Sequence, residues 1–203
     1  MKIYDSQTAP NPRRVRIFLA EKEIQVPYEQ VDIIKAENRT PAFRKKNPLG
    51  VVPVLELDDG TCIAESVAIC RYFEETHPEP PLMGIGARDR AIVEMWQRRM
   101  ELEIFIPVAQ VFRNTHAFFE GRIPQVPAYG EVCRNTVTQR LAWLEQVLAD
   151  RKFIAGERYT IADITALCAI DFGRVSSIRL QAEQKNLARA GDQRNPVVAV
   201  NSR

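Results

Sequence analysis

The sequence predicts two domains in series: an α/β domain of βαβ-ββα order over residues 1–80 and an all-helical domain over residues 86–203. Three observations carry this reading. Short strand and helix patterns alternate as far as Thr76. The proline-rich stretch His77-Pro78-Glu79-Pro80-Pro81 then interrupts the chain, so residues 77–85 read as a linker. Beyond it strand patterns disappear and long helical periodicities take over. A chain of 203 residues with 45% hydrophobic and 27% charged side chains can build a core in each domain.

In order, Lys2-Ile3-Tyr4 reads as a short strand. Residues 13–23 place Val15, Phe18 and Leu19 at helical spacing, with Ile17 beside them. Asn11 suits the N-cap, and Pro12 the first helical position, where a missing N–H has no partner to lose. Residues 26–32 read as a second strand, and strand, helix and strand in so short a span imply a right-handed parallel βαβ unit. A short helix is expected at residues 41–45. Residues 52–57 and 61–63 flank Asp58-Asp59-Gly60, a hairpin signal, because Asp-Gly supplies the positive φ of a tight turn. Residues 66–76 then form a helix burying Val67, Ile69, Cys70 and Phe73. The sum is a four-stranded mixed sheet with helices on it.

In the second domain residues 87–112 give one long helical pattern, in which Pro107 demands a kink or break. Residues 122–127 are a loop, and residues 128–150 a second long amphipathic helix. A third opens at Thr160-Ile161-Ala162-Asp163, with Thr160 as N-cap and Asp163 near the positive end of the helix dipole.

Composition narrows the function. The net charge is only +2, and each basic cluster has acidic neighbours, which argues against a nucleic-acid partner. No apolar run approaches the roughly 20 residues of a membrane span, and the first residues lack a secretory pattern. Four scattered cysteines without a CxxC point to reduced thiols and a cytoplasmic location. The two histidines, His77 and His116, have no ligand-like neighbours, so no metal site is expected.

The stretch NPLGVVPVLELDDGTCIAES, residues 47–66, closely resembles the glutathione-binding core of cytosolic glutathione S-transferases. RVRIFLAEK resembles the first helix of bacterial and fungal members, and FIAGERYTIADI the capping motif before their sixth helix. The resemblance covers almost the whole chain, least well after about Leu187. It implies a thioredoxin-like N-terminal domain joined to a helical bundle, a homodimer, and glutathione as co-substrate with no metal. The implied activity is conjugation of the glutathione thiolate to small hydrophobic electrophiles. Two alternatives stay open: a non-catalytic module of the same fold that binds glutathione or a protein, and a glutathione-dependent isomerase or peroxidase.

The resemblance also implies residue roles. The Val52–Pro53 bond is expected to be cis, and the Val52 N–H and C=O to pair with the tripeptide as an added strand. Ser66, capping its helix, takes the γ-glutamyl carboxylate, and Glu65 the ammonium. Asn38 and Arg39 serve the glycine carboxylate, with Lys35, Arg44 and Lys45 as competitors. Val51 departs from classes that carry Gln or Lys there. The usual thiol activators are missing: the family's Ser falls on Ala9, its Cys near Asn11, and Tyr4 lies within the strand. Three substitutes are open. The helix start can hold the thiolate with the N–H groups of Arg13 and Arg14 and the side-chain amide of Asn11. Ser6 or Thr8 can turn inward. His116 can act as a general base through a water. The electrophile pocket is expected to use Ala9, Phe112 and Phe119, with Phe105, Val108 and Phe118 as further candidates. Trp96, Arg98 and Arg99 lie on the helix that builds the dimer interface in the family.

Overall fold

The computed structural model describes residues 1–192. The chain divides into two units, the first spanning Met1–Leu82 and the second beginning at Met83.

The first unit runs β1 (Lys2–Asp5), α1 (Pro10–Glu21), β2 (Tyr28–Gln30), α2 (Pro41–Arg44), β3 (Val54–Glu56), β4 (Cys62–Ala64) and α3 (Ser66–Thr76). The sheet order is β2-β1-β3-β4. β1 and β2 are parallel, with Ile3 opposite Tyr28. β3 runs antiparallel to β1 and to β4, and Val54 faces both Tyr4 and Ala64. β2 is shorter than the seven-residue pattern suggests. Pro27 has no N–H to offer the ladder, although its carbonyl still accepts from Ile3 at 2.9 Å. The register has one consequence for function. The end of β1, the start of β3 and the end of β4 meet at the same end of the sheet, so the chain before α1, before β3 and before α3 converges there.

α1 and α3 pack together over the sheet, and Ile3, Val15, Phe18, Leu55, Ile69 and Phe73 are buried between them and the strands. Each such side chain contributes about 1.5–3 kcal/mol. A buried cation stiffens this layer. The Lys22 ammonium meets the Glu74 carboxylate at 2.8 Å and donates to the carbonyls of His77 and Pro80 at 2.7 Å each. One side chain thus ties the end of α1 to α3 and to the proline-rich segment after it. Lys22→Met is expected to lower unfolding free energy by about 3 kcal/mol, because the Glu74 carboxylate stays buried without this ammonium; urea denaturation measures it.

The second unit runs α4 (Gly86–Met100), a π-helical turn (Glu101–Phe105), α5 (Ile106–Thr115), a 3-10 turn (Ala117–Phe119), α6 (Pro127–Val147), α7 (Ile161–Gly173), a 3-10 turn (Arg174–Ser176) and α8 (Lys185–Asp192). The single helix expected over residues 87–112 is therefore interrupted. Pro107 offers no N–H to the Glu103 carbonyl, and the wider turn absorbs the defect, with the Ile106 N–H reaching back to the Glu101 carbonyl. No helix among the described residues is long and apolar enough to cross a membrane.

α7 is the buried helix of this unit, and Thr160 and Asp163 form the capping box at its start. The Asp163 carboxylate accepts from the Ile154 N–H at 2.8 Å and from the Thr160 N–H and hydroxyl at 2.9 Å each. Burial pushes Asp163 up to about 6, from 3.8, against the pull of those hydrogen bonds. A carboxyl whose folded value lies above its unfolded value stabilises the fold most when protonated. Its contribution is full below about pH 4 and is lost as pH rises through about 6. Unfolding free energy followed by urea titration across this window is expected to carry a falling component that Asp163→Asn abolishes.

Candidate functional site

Three segments meet at the shared end of the sheet, and each is built by its own side chains. The loop before β3 is held by two buried asparagines. Asn47 donates to the Val51 carbonyl at 2.9 Å and accepts from the Leu49 N–H at 3.1 Å. Asn38 donates to the Gly50 carbonyl at 2.7 Å, so its amide nitrogen is committed to the loop. Gly50 has φ +61°, and a Cβ there would lie 2.8 Å from the Asn38 carbonyl oxygen, which leaves room for glycine alone. The loop delivers a cis Val52–Pro53 bond. The Val52 side chain packs with Tyr4, Val31, Phe43 and Val54, and Ala9 lies against the same cluster. The Val52 N–H and C=O take no partner among the described residues. Arg39 is exposed, and its side chain makes a long 3.4 Å contact to the Leu49 carbonyl.

The start of α3 differs from expectation. Glu65, not Ser66, is the N-cap residue, with φ +66° and ψ 116°, a conformation that costs a non-glycine residue about 1–3 kcal/mol. Its side chain is exposed. Ser66 is the first helical residue, and its buried hydroxyl accepts from Arg14 Nη1 at 2.8 Å instead of capping the helix. The backbone N–H groups of Ser66, Val67 and Ala68 take no partner among the described residues, and the first turn carries no acid.

The sequence reading gives Arg14 a backbone role alone and misses its side chain. It belongs to a basic cluster that reads as a solvated face, yet it is 1% exposed. A signal was present: Arg14 stands three and four residues before the buried Ile17 and Phe18, on the inward face of the helix.

The start of α1 also departs from expectation. The N-cap is Ala9, not Asn11, and the helix begins at Pro10 instead of Pro12. Prolines therefore occupy the first and third helical positions. Asn11 carries the one backbone N–H between them, and that group takes no partner among the described residues. The Arg13 N–H expected to face a thiolate is used by the Ala9 carbonyl at 3.3 Å, and that of Arg14 lies within the helix. The Asn11 side chain is half-buried. Tyr4 is removed from consideration, since its buried hydroxyl donates to Glu56 at 2.6 Å. Lys46, 2.7 Å from the same carboxylate, and the Tyr4 hydroxyl hold Glu56 below the usual carboxylate range. Ser6 is buried and Thr8 exposed.

In the second unit His116 ends α5 in extended conformation, and its Nδ1 accepts from the Phe118 N–H at 3.1 Å. The neutral ring therefore keeps its proton on Nε2 and offers a donor outward. Phe112 lies 4.6 Å from that ring and packs edge-on to Phe119 at 5.2 Å. Phe105 and Val108, further pocket candidates, are buried core residues. Trp96 is buried too, stacked on Trp143 at 5.8 Å with the Arg99 guanidinium 4.8 Å from its ring centre.

Arg14→Met keeps most of the buried volume and removes the hydrogen bond to Ser66. The expected loss is about 1–3 kcal/mol of stability, read by urea denaturation.

Comparison with known proteins agrees with this architecture. The family model for the glutathione S-transferase N-terminal domain matches residues 3–81, and that for the C-terminal domain matches residues 115–189. Glutathione S-transferase 2 of Saccharomyces cerevisiae is 35% identical over 190 residues, covering 90% of this chain and 80% of the relative. The maleylacetoacetate isomerase of Dictyostelium discoideum is 33% identical over 159 residues, covering 74% of this chain and 69% of its own length. The crystal structure of Gtt2 from Saccharomyces cerevisiae superposes with a TM-score of 0.93 at 33% identity, covering 98% of this chain and 99% of that one. With a thioredoxin-like first domain and a helical second one, the chain belongs to the glutathione S-transferase family.

Proposed function

We propose that the protein conjugates glutathione to small hydrophobic electrophiles. The observation that carries this reading is the convergence, at one end of the sheet, of an unpaired Val52 N–H and C=O with the open N–H groups starting α1 and α3. A tripeptide is the right length to use all three. Its backbone pairs with Val52, and its γ-glutamyl carboxylate takes the N–H groups of α3 and the Ser66 hydroxyl. Its ammonium meets Glu65. Arg39 takes the glycine carboxylate, on a loop that Asn38 shapes.

The cysteine sulfur then falls near Ala9, at the start of α1. In this reading the backbone N–H and side-chain amide of Asn11 stabilise the thiolate, with the positive end of α1 behind them. His116, whose outward ring nitrogen is Nε2, is the second candidate group for this step. The thiol proton passes to solvent. Sulfur forms a bond to the electrophilic carbon, and the leaving group departs with its electron pair. The family's isomerase member favours a second reading, glutathione-dependent isomerisation. The exposed Met95, Leu102 and Ile106, spaced seven and four residues apart, support a homodimer, which light scattering tests.

Calorimetric titration with glutathione is expected to give binding that Ser66→Ala and Glu65→Gln each weaken about tenfold, a typical loss for a charged hydrogen bond. With chlorodinitrobenzene as electrophile, Asn11→Ala and His116→Ala are expected to lower kcat while leaving the glutathione KM near wild type. Absence of glutathione binding overturns the proposal. Turnover of maleylacetoacetate without conjugation of any arene replaces it with the isomerase reading.

A further inference from the structure

The first unit carries a second concave surface, built from residues that have no part in the glutathione reading. Among the described strands, β2 is an edge of the sheet. In its pairing with β1, the Ile3 N–H donates to the Pro27 carbonyl at 2.9 Å and the Val31 N–H to the Asp5 carbonyl at 2.7 Å. Backbone direction alternates along a strand, so Pro27, Glu29 and Val31 face β1. The N–H and C=O groups of Tyr28 and Gln30 therefore face away from the sheet. These four groups take no partner among the described residues. A proline often blunts a sheet edge, but Pro27 is turned the other way: it withholds its N–H from β1, and the outer side keeps its donors.

Between this edge and α1 lies a groove of about 760 Å³. Leu19, Ile24 and Val26 supply its apolar part, and the side chains of Tyr28 and Gln30 line it as well. The two residues with open backbone groups are thus the two that border the groove. Its charges are matched with one exception. The Arg16 guanidinium donates to the buried Asp5 carboxylate at 2.5 Å and to the Gln7 carbonyl at 2.9 Å. Gln30 Nε2 donates to the other Asp5 oxygen at 2.7 Å. Glu29, whose side chain alternates to the opposite face of β2, meets the Lys2 ammonium at 2.9 Å. The exposed Glu23 lines the groove and pairs with no cation among the described residues.

Glu23 stands where neither backbone nor electrostatics favours it. It follows the C-cap of α1 with φ +56°, in the left-handed region that usually falls to glycine. Its N–H donates to the Ala20 carbonyl at 3.1 Å, and the Ile24 N–H returns to the Leu19 carbonyl at 2.9 Å. A carboxylate at this place also lies at the negative end of the helix dipole. A cation arriving in the groove offsets that repulsion.

We propose that the free edge of β2 and this groove bind an extended peptide that carries a lysine or arginine. The peptide adds to the sheet as a further strand, its backbone pairing with Tyr28 and Gln30. Its basic side chain enters the groove, passes over the exposed Tyr28 ring and meets Glu23. The proposal does not depend on glutathione or on turnover.

Fluorescence anisotropy tests it with a labelled nine-residue peptide of alternating threonine and valine around a central arginine. A second peptide has glutamate at the centre. A third is the arginine peptide N-methylated at the arginine and its two neighbours. Wild type is expected to bind the arginine peptide more tightly than the glutamate peptide. Glu23→Gln is expected to lower that ratio about fivefold, the usual scale of an exposed ion pair, and Glu23→Lys to lower it further. N-methylation is expected to weaken binding about tenfold through the lost backbone hydrogen bonds. Equal binding of the methylated and parent peptides means a cation pocket without strand addition and overturns the proposal. An arginine-to-glutamate ratio unchanged in both Glu23 variants overturns it too, as does absence of binding. In amide spectra the Tyr28 and Gln30 signals are expected to shift with the arginine peptide, and shifts that spare both refute the site.

Discussion

A buried guanidinium between two helix starts is the contact that ties the first domain's two open helix ends together. Arg14 leaves α1, crosses beneath the site and donates to the hydroxyl of the first residue of α3. Removing a charge from water costs several kcal/mol, so the contact with Ser66 is one the fold maintains at a cost. Eight residues further along α1, the Lys22 ammonium performs the same service toward the other end of α3, through Glu74. Two cations on one face of α1 thus clamp α3 at two heights. A pair of helices clamped in this way holds its N-terminal N–H groups in a fixed relation, which polar recognition at close range requires.

The two helix starts differ in what they can hold. α3 presents three successive N–H groups and no acid in its first turn, an arrangement suited to a full carboxylate. α1 presents only the N–H of Asn11, because prolines flank it, which suits a smaller demand such as a single sulfur. The Arg14 guanidinium adds a positive charge between them. Glu65, at positive φ between β4 and α3, presents an exposed carboxylate beside the start of α3.

Much of this was legible in the sequence, for identifiable reasons. The bounds of α3, the Asp-Gly hairpin and the capping box at Thr160 and Asp163 all follow from local chemistry that tertiary packing did not contest. Asn11 was misplaced because its capping propensity is real but weaker than the pull of two prolines toward the first turn, which left Ala9 to end the loop. Ser66 has the composition of a cap, yet a buried arginine 52 positions away claims its hydroxyl, and no local pattern reveals that. Arg14 itself was hidden by its charge: among Arg13, Arg14 and Arg16 only helical phase separates the buried member from its neighbours.

The π turn at Glu101–Phe105 acts as a phase shifter. It accommodates one residue more than an α-helical path of the same length, so every side chain after it is turned by about 100° around the helix axis. Deleting one residue from this turn would leave α5 helical but rotate Phe112 and His116 away from their present neighbours together. The aromatic surface of the second domain therefore owes its facing to an apparent irregularity upstream, and a local insertion sets the orientation of the residues that follow.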